Sequence, residues 1–249
     1  MTIKVFGDSH VGALRRGWKH LMDEGAAPPD VDVEFYASDG RYWLECSVVE
    51  TDSNLQISQR RPGGETLKDY VVDKNIDQYF FSSPLHSAPL YRNRAWKACC
   101  PWMCVAHNED LQALSSGAIE HWADRQARRR IDLLDKLCAG GISLAVVEPP
   151  KPLKRTPKMF GIRPDVLIAA SNIYRNYVSA LLDERGIPII RTPEETYEDS
   201  GFTKSVYAPK DMKDYHHGNP LFGSLVMKEI VKFAVQANRG GAGQPVRQP

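Results

Sequence analysis

Three features that would narrow the function quickly are missing from this sequence: a patterned set of cysteines, an excess of one charge and a long hydrophobic run. The five cysteines are irregularly spaced and form no paired CxxC units, so neither a disulfide framework nor a zinc site is predicted. The formal net charge of +1 gives no reason to expect nucleic acid or a membrane surface as a partner. No apolar stretch approaches the length of a transmembrane helix, so no membrane span is predicted.

The start of the chain also lacks the basic n-region and the apolar h-region of a signal peptide. Together with the cysteine usage, this predicts a cytoplasmic protein. Hydrophobic residues make up 42% of the chain and charged residues 25%, which is typical of a soluble globular protein with a sizeable core. We expect one domain over residues 1–237, with insertions at about 41–68 and 87–115, and a disordered tail at 238–249.

Short β-type runs alternate with helical patterns along most of the chain. Strands are predicted within residues 3–6, 31–37, 77–83, 143–150 and 187–190. Helices are predicted within residues 11–24, 119–138 and 173–182, and after Asn219. The alternation is typical of βαβ units, and it predicts an α/β fold in which helices cover both faces of a mainly parallel sheet.

Glycines and polar residues stand where four of these strands end. The segments are Gly7–His10, Ser38–Gly40, Ser83–Ser87 and Glu148–Pro150. The carboxyl ends of parallel strands lie at the same edge of a sheet, and binding sites in such folds form along that edge. The sequence therefore predicts a functional site built from these segments.

Ser9 follows the first strand and precedes the first helix. A serine hydroxyl is a poor nucleophile at neutral pH unless a base lies beside it, and that base is commonly a histidine held by a carboxylate. The segment KDYHHGNPLFG, just before the last helix, supplies Asp214 and His217 at a spacing of three. Such a spacing in a turn can bring a carboxylate back to the imidazole Nδ1 and leave Nε2 free for Ser9. We therefore predict that these three residues form a catalytic triad.

The GDS block on the first strand, the DxxH block before the last helix and the α/β alternation between them resemble the SGNH (GDSL-type) hydrolases. The similarity covers roughly residues 3–235 in the order of elements. It implies a three-layer α/β/α sandwich around a flavodoxin-like, mainly parallel five-stranded sheet. It also implies that an acyl-enzyme forms during ester hydrolysis, with Ser9 as the nucleophile, His217 as the base and Asp214 as its orienting acid.

The same resemblance implies an oxyanion hole. The backbone N–H of Ser9 is one donor, and Gly40 stands in the place of the family's second-block glycine, whose N–H is another. The third block departs from the family pattern, because His86 occupies the position of the asparagine whose side chain donates to the oxyanion. A neutral imidazole also has one N–H, so we expect His86 to be able to replace that donor.

The substrate class implied by the resemblance is an acyl ester of a carbohydrate, a lipid or a small molecule. The resemblance implies neither a cofactor nor a metal ion, and the sequence does not indicate an oligomeric state. Candidate substrate-binding residues around the predicted site are Asp8, His10, Ser83, Trp96 and Lys154. Each of them also has a simpler interpretation as a core, turn or surface residue.

Three other functions fit parts of the sequence. Asp8 and His10 after a first strand also resemble the start of the calcineurin-like metallophosphoesterases, but the GD, GNH and GHxH blocks of that family are missing. A triad on the same fold could pass the acyl group to a sugar or polysaccharide hydroxyl, as an O-acyltransferase does. A protein with an altered third block could also bind a glycan or a partner without catalysis, although the presence of Ser9, His217 and Asp214 argues against this.

Overall fold

The computed structural model describes residues 1–38, 46–51, 54–60, 65–76 and 78–240. The strands are β1 (Thr2–Gly7), β2 (Asp32–Ala37), β3 (Cys46–Glu50), β4 (Asn54–Arg60), β5 (Thr66–Asp73), β6 (Gln78–Phe81), β7 (Cys99–Pro101), β8 (Gln112–Leu114), β9 (Leu144–Val147) and β10 (Ile189–Ile190). The helices are α1 (Val11–Asp23), α2 (Ala88–Tyr91), α3 (Ser116–Ala139), α4 (Thr156–Phe160), α5 (Pro164–Asp183) and α6 (Pro220–Gly240).

The central layer is a parallel sheet of five strands in the order β10-β9-β6-β1-β2. Side chains alternate between its two faces, as the period of two in a strand requires. Ile3 and Val5 of β1 join the core under α1 and α6, whereas Phe6 joins the core that includes α3 and α5. The expected α/β sandwich with a flavodoxin-like parallel sheet is therefore confirmed.

Helices α1 and α6 approach each other more closely than side chains normally allow. A methyl group on Gly17 of α1 would overlap the backbone of Gly223 in α6, and one on Gly223 would overlap the carbonyl oxygen of Ala13. The Ser224 hydroxyl adds a bond of 3.1 Å to the carbonyl oxygen of Gly17. This packing fixes the first turns of α6 against α1, and the two predicted blocks of the triad lie directly before these helices.

Part of the predicted insertion at 41–68 is built differently from the irregular polar segment that composition suggested. Strands β3, β4 and β5 form an antiparallel sheet over residues 46–73. The alternating residues Leu55 and Ile57 of β4, with Tyr70 and Val72 of β5, are buried in the core shared with α3. The segment is a second small sheet because one face of each strand carries enough apolar surface to be buried.

The second predicted insertion, 87–115, contains α2, two short 3₁₀ turns and the two-stranded sheet of β7 and β8. Cys100 and Cys104 are buried free thiols within it. Helix α6 continues to Gly240, so the first residues of the predicted tail at 238–240 are helical, and 241–249 lie outside the described residues. Among the helices described, none combines the length and the apolar character needed to cross a bilayer. That the chain forms one domain stays a prediction.

Candidate active site

Ser9 is exposed at the end of β1, between the buried residues Asp8 and His10. The strand can end here only with a residue that lacks a side chain, because a methyl group on Gly7 would overlap the Ser82 hydroxyl at the end of β6. The Asp8 carboxylate then accepts the His10 N–H at 3.0 Å and its carbonyl oxygen accepts the Val11 N–H at 3.1 Å. These bonds form the tight turn from β1 into α1 that places Ser9 at the surface.

His217 lies beside Ser9 although the two residues are far apart in the chain. Its Nε2 is 2.6 Å from the Ser9 Oγ, and its Nδ1 is 2.9 and 3.0 Å from the two carboxylate oxygens of Asp214. An ionised carboxylate only accepts hydrogen bonds, so Nδ1 carries the proton in this arrangement. The neutral ring therefore has its lone pair on Nε2, where it can accept the proton of the Ser9 hydroxyl.

Asp214 is held as an anion. Burial by itself would raise the pKa of this carboxyl, but the hydrogen bond and the charge of His217, together with backbone N–H groups, hold the pKa well below its ordinary value. Those N–H groups belong to His216 and His217, at 3.2 and 3.1 Å from one oxygen. One carboxylate thus orients both the loop and the imidazole.

The start of α6 fixes the same loop from its other side. Asn219 caps the helix that the sequence predicts after it, because its side-chain oxygen accepts the Phe222 N–H at 3.0 Å. Its side-chain amide donates to the carbonyl oxygen of Val206 at 2.6 Å. His217 therefore stands between a capped helix and the turn that Asp214 forms.

His86 follows β6 and is bound to Asp8. Its Nδ1 lies 3.0 Å from the Asp8 carboxylate, and its Nε2 is buried without a hydrogen-bond partner among the described residues. Burial alone would raise the pKa of Asp8, but the charges of His10 and His86 and the bonds from both residues lower the pKa well below its ordinary value. An ionised Asp8 accepts a hydrogen bond from Nδ1–H of His86. Nε2 of a neutral His86 therefore carries the lone pair and cannot donate. The predicted oxyanion role of His86 therefore requires the doubly protonated ring.

Of the other two predicted oxyanion donors, Ser9 lies among the described residues and Gly40 does not. Gly40 lies outside the described residues, so its role stays a prediction. The Ser9 N–H has no acceptor among the described parts of the chain, and it lies at the N-terminal end of α1, where the helix dipole favours negative charge.

The structure separates the remaining candidates for substrate binding. Ser83 is buried in the turn after β6, where its carbonyl oxygen accepts the His86 N–H at 3.2 Å. The indole of Trp96 is buried and donates to the carbonyl oxygen of Leu90 at 3.0 Å, so it serves the core of its segment. Lys154 pairs with Glu198 at 2.8 Å on the surface. No contact described for Trp96 or Lys154 involves the triad.

The contacts of Asp8 argue against the metallophosphoesterase alternative, in which Asp8 and His10 would hold a metal ion. Each oxygen of its carboxylate already accepts a hydrogen bond, one from the His10 backbone and one from the His86 ring. Asp8 thus orients a neighbour instead of presenting a free oxygen to an ion.

Sequence reasoning did not select His216 as a site residue. The His216 ring lies 3.9 Å from that of His217 and stacks on His86 at 5.2 Å, measured between ring centres. Burial, then the charges of His217 and His86, lower the pKa of His216 to about 3. Burial also lowers the pKa of His10 to well below its ordinary value. Both rings are therefore neutral at pH 7, and only the HH doublet in the sequence marked His216.

A buried ion pair under the Pro-rich loop was also missed. Arg175 of α5 lies 3.1 Å from Glu148, whose other oxygen accepts the backbone and hydroxyl hydrogens of Thr192, each at 3.0 Å. Arg175 also donates to the carbonyl oxygens of Pro149 and Pro150. The pair holds the loop after β9 against the crevice that His86 and His216 line. An arginine within the apolar stripe of α5 was the available signal.

Comparisons with known proteins give one kind of match. No family model matches the chain, and no curated protein does. A protein of the G-D-S-L family from Desulfitobacterium hafniense superposes with a TM-score of 0.50 at 7% identity, covering 93% of this chain and 98% of that one. The acetyl xylan esterase AlAXEase superposes with a TM-score of 0.48 at 13% identity, covering 94% of this chain and 99% of that one. The periplasmic domain of a lipopolysaccharide acetyltransferase from Salmonella ser. Paratyphi A superposes with a TM-score of 0.49 at 11% identity, covering 94% of this chain and 83% of that one.

At 7% identity, the match to the G-D-S-L protein bears on the fold alone. The five-stranded parallel sheet, its strand order and the superposition over nearly the whole length of the G-D-S-L protein agree with one another. The resemblance that the sequence indicates is thus confirmed at the level of the fold, and the chain has the fold of the SGNH (GDSL-type) hydrolase superfamily.

Proposed function

We propose that this protein is a serine hydrolase that cleaves acyl esters through an acyl-enzyme on Ser9. One observation carries the proposal: Ser9 Oγ, the His217 ring and the Asp214 carboxylate form a continuous chain of hydrogen bonds at the end of β1, with distances of 2.6 and 2.9 Å. A nucleophile, a base and an orienting acid in contact are what acyl transfer to a serine requires. The fold shared with the G-D-S-L protein supports the same class of chemistry.

In the first step, His217 Nε2 takes the proton from Ser9 as Oγ attacks the ester carbonyl carbon. The resulting imidazolium is stabilised by the ionised Asp214, which already bonds Nδ1. The tetrahedral intermediate then collapses, and Nε2–H gives its proton to the departing alkoxide. The alcohol leaves, and the acyl group stays on Ser9.

In the second step, water removes the acyl group from Ser9. His217 Nε2 removes a proton from a water molecule as the water oxygen attacks the acyl carbon. Collapse of the second tetrahedral intermediate returns the proton to Ser9 Oγ and releases the carboxylic acid. Both intermediates place negative charge on the carbonyl oxygen.

We propose that the Ser9 N–H at the start of α1 stabilises this charge, with Gly40 as the second backbone donor. His86 can be a third donor only in a form that carries a proton on Nε2 as well as on Nδ1, which lies 3.0 Å from Asp8. Removal of one such donor typically costs ~100- to 1000-fold in rate.

The test is a series of p-nitrophenyl acetate, butyrate and octanoate, with mass spectrometry of the protein during turnover. We expect turnover within this ester series, with the acyl group found on Ser9. A sugar or glycerol added as acceptor separates hydrolysis, which releases the free acid, from transfer to a hydroxyl. Turnover without any acylated Ser9 contradicts the proposal.

A further inference from the structure

Three histidines that the triad does not use meet beside it: His10, His86 and His216, called here the histidine cluster. The ring centre of His10 lies 4.3 Å from that of His86 and 5.4 Å from that of His216, and the latter two are 5.2 Å apart. One nitrogen from each ring lies within 4.8 Å of the other two. The residues come from the turn after β1, the turn after β6 and the loop before α6, so only the fold brings them together.

Most of the ring nitrogens in the cluster lack a partner. Both nitrogens of His10, Nε2 of His86 and Nδ1 of His216 are buried without a hydrogen-bond partner among the described residues. Buried polar atoms in folded proteins are nearly always bonded, and those that are not require an explanation such as an ion. The lone pair of a neutral imidazole is a preferred ligand for zinc and similar divalent ions.

Asp8 gives His86 the environment of a metal ligand. Histidines that bind metals usually donate their other ring N–H to a carboxylate or a carbonyl, which fixes the tautomer and the orientation of the ring. Nδ1 of His86 is 3.0 Å from the buried Asp8 carboxylate, so Nε2 of the neutral ring carries the lone pair.

We propose that the histidine cluster binds one divalent transition-metal ion of the zinc type through one nitrogen each of His10, His86 and His216, with Asp8 as the outer partner of His86. Tetrahedral coordination at ~2.0–2.1 Å places ligand nitrogens ~3.3 Å apart, so the rings close inward by about an ångström on loading. A three-histidine site leaves the fourth position for water or a ligand atom. The bound ion and the donation by His86 to an oxyanion exclude each other, because both use Nε2.

The charges around the cluster permit a cation. Asp8 contacts the cluster and Asp214 lies beside it, and both carboxylates are ionised. Arg175 is neutralised by Glu148 at 3.1 Å. Lys151, in the crevice, is a nearby cation that opposes binding.

The cluster lies close to the surface on the side of His86 and His216, which are both partly exposed. His86 and His216 both line the narrow crevice described above, next to Pro150. His10 lies behind them and is buried.

The test is a titration of the full-length, chelator-stripped protein with Co²⁺, followed by displacement with Zn²⁺. We expect one equivalent of Co²⁺ to bind and to give the visible d–d absorption of a low-coordinate site, and Zn²⁺ to abolish it. Competition with a chromophoric chelator then measures the affinity. Outer partners of metal ligands are worth ~10- to 100-fold in affinity, so Asp8→Asn should lose about that much and His10→Ala roughly 100-fold or more.

Two controls make the site specific. The double variant His107→Ala/His121→Ala removes two exposed histidines and should bind like the wild type. His217→Ala tests the neighbouring set of Asp214, His216 and His217, which could also hold an ion. Wild-type protein that takes up no equivalent of Co²⁺ overturns the proposal whether or not the variants fold. Binding that survives His10→Ala but is lost in His217→Ala overturns it as well.

Discussion

Replacing Asp214 by asparagine isolates the orienting role of the carboxylate from its role in the loop. One carboxylate oxygen accepts the N–H groups of His216 and His217, and an asparagine oxygen can keep both bonds. The other oxygen lies 2.9 Å from Nδ1 of His217. An amide NH₂ at that position donates to Nδ1 and so moves the ring proton to Nε2, where it blocks acceptance of the Ser9 proton.

The magnitude follows from this tautomer switch and from the exposure of the pair. In a fully buried triad, the same change costs ~10⁴-fold in kcat. The Asp214 side chain is 21% exposed, so water can offer a substitute partner to Nδ1–H. We therefore expect Asp214→Asn to lower kcat by ~10²- to 10⁴-fold, or about 3–5 kcal/mol in activation free energy, with little change in KM.

The assay is steady-state hydrolysis of p-nitrophenyl acetate, with the thermal unfolding midpoint as the measure of folding. Asp211→Asn is the matched control, because the Asp211 side chain accepts the Lys213 N–H at 2.9 Å in the same loop, and only its backbone carbonyl oxygen bonds Asp214. The double variant Asp214→Ala/His217→Ala should be about as slow as His217→Ala alone, since a triad acts as a unit. A loss of less than about tenfold in Asp214→Asn, or multiplying losses in the double variant, would refute the reasoning.

Three further outcomes test the site from other directions. His86→Ala should lower kcat by ~10- to 1000-fold with little change in KM, and His86→Asn should retain much more activity; if both match the wild type, His86 is structural. Gly223→Ala should destabilise the fold by ~1–3 kcal/mol and slow turnover by pushing α6 from α1. Gly117→Ala, whose methyl group meets open space, is its control and should be neutral or stabilising. Between about pH 7 and pH 5, His216 alone should lower the free energy of unfolding by about 2 kcal/mol, because the unfolded residue takes up a proton near 6.5 while the folded pKa is about 3. The stability that His216 contributes is thus highest above pH 6.5 and falls towards pH 3. In denaturant titrations of the chelator-treated protein, His216→Gln should lose this pH-dependent contribution. A variant whose stability depends on pH as the wild type's does contradicts the prediction.

The strands of the central sheet and its long helices could be predicted because their apolar residues recur with the periods of strands and helices. Strands β3 to β5 could not, because their many polar residues suggested a loop although Leu55 and Ile57 alternate inwards. The end of α3 could be predicted from the glycine pair Gly140 and Gly141. The structure agrees, because Gly141 has a left-handed φ of 85°, which favours glycine.

For the site, Ser9, Asp214 and His217 could be selected because each stands at a strand end or a helix start, and chain order suffices to place such positions together. The bond between Asp8 and His86 could not be predicted, because it depends on how closely the turns after β1 and β6 approach. The tautomer of His86 follows from that contact, and no feature of the sequence specifies it.

The most direct measurement of the central claim is labelling with a fluorophosphonate probe, followed by mass spectrometry of the modified peptide. Ser9 is exposed and 2.6 Å from His217 Nε2, so the wild type should be labelled at Ser9, and Ser9→Ala should lose both the label and esterase turnover while keeping its unfolding midpoint. A folded Ser9→Ala variant that still takes up the probe at another serine, or still hydrolyses esters at the wild-type rate, would contradict the account.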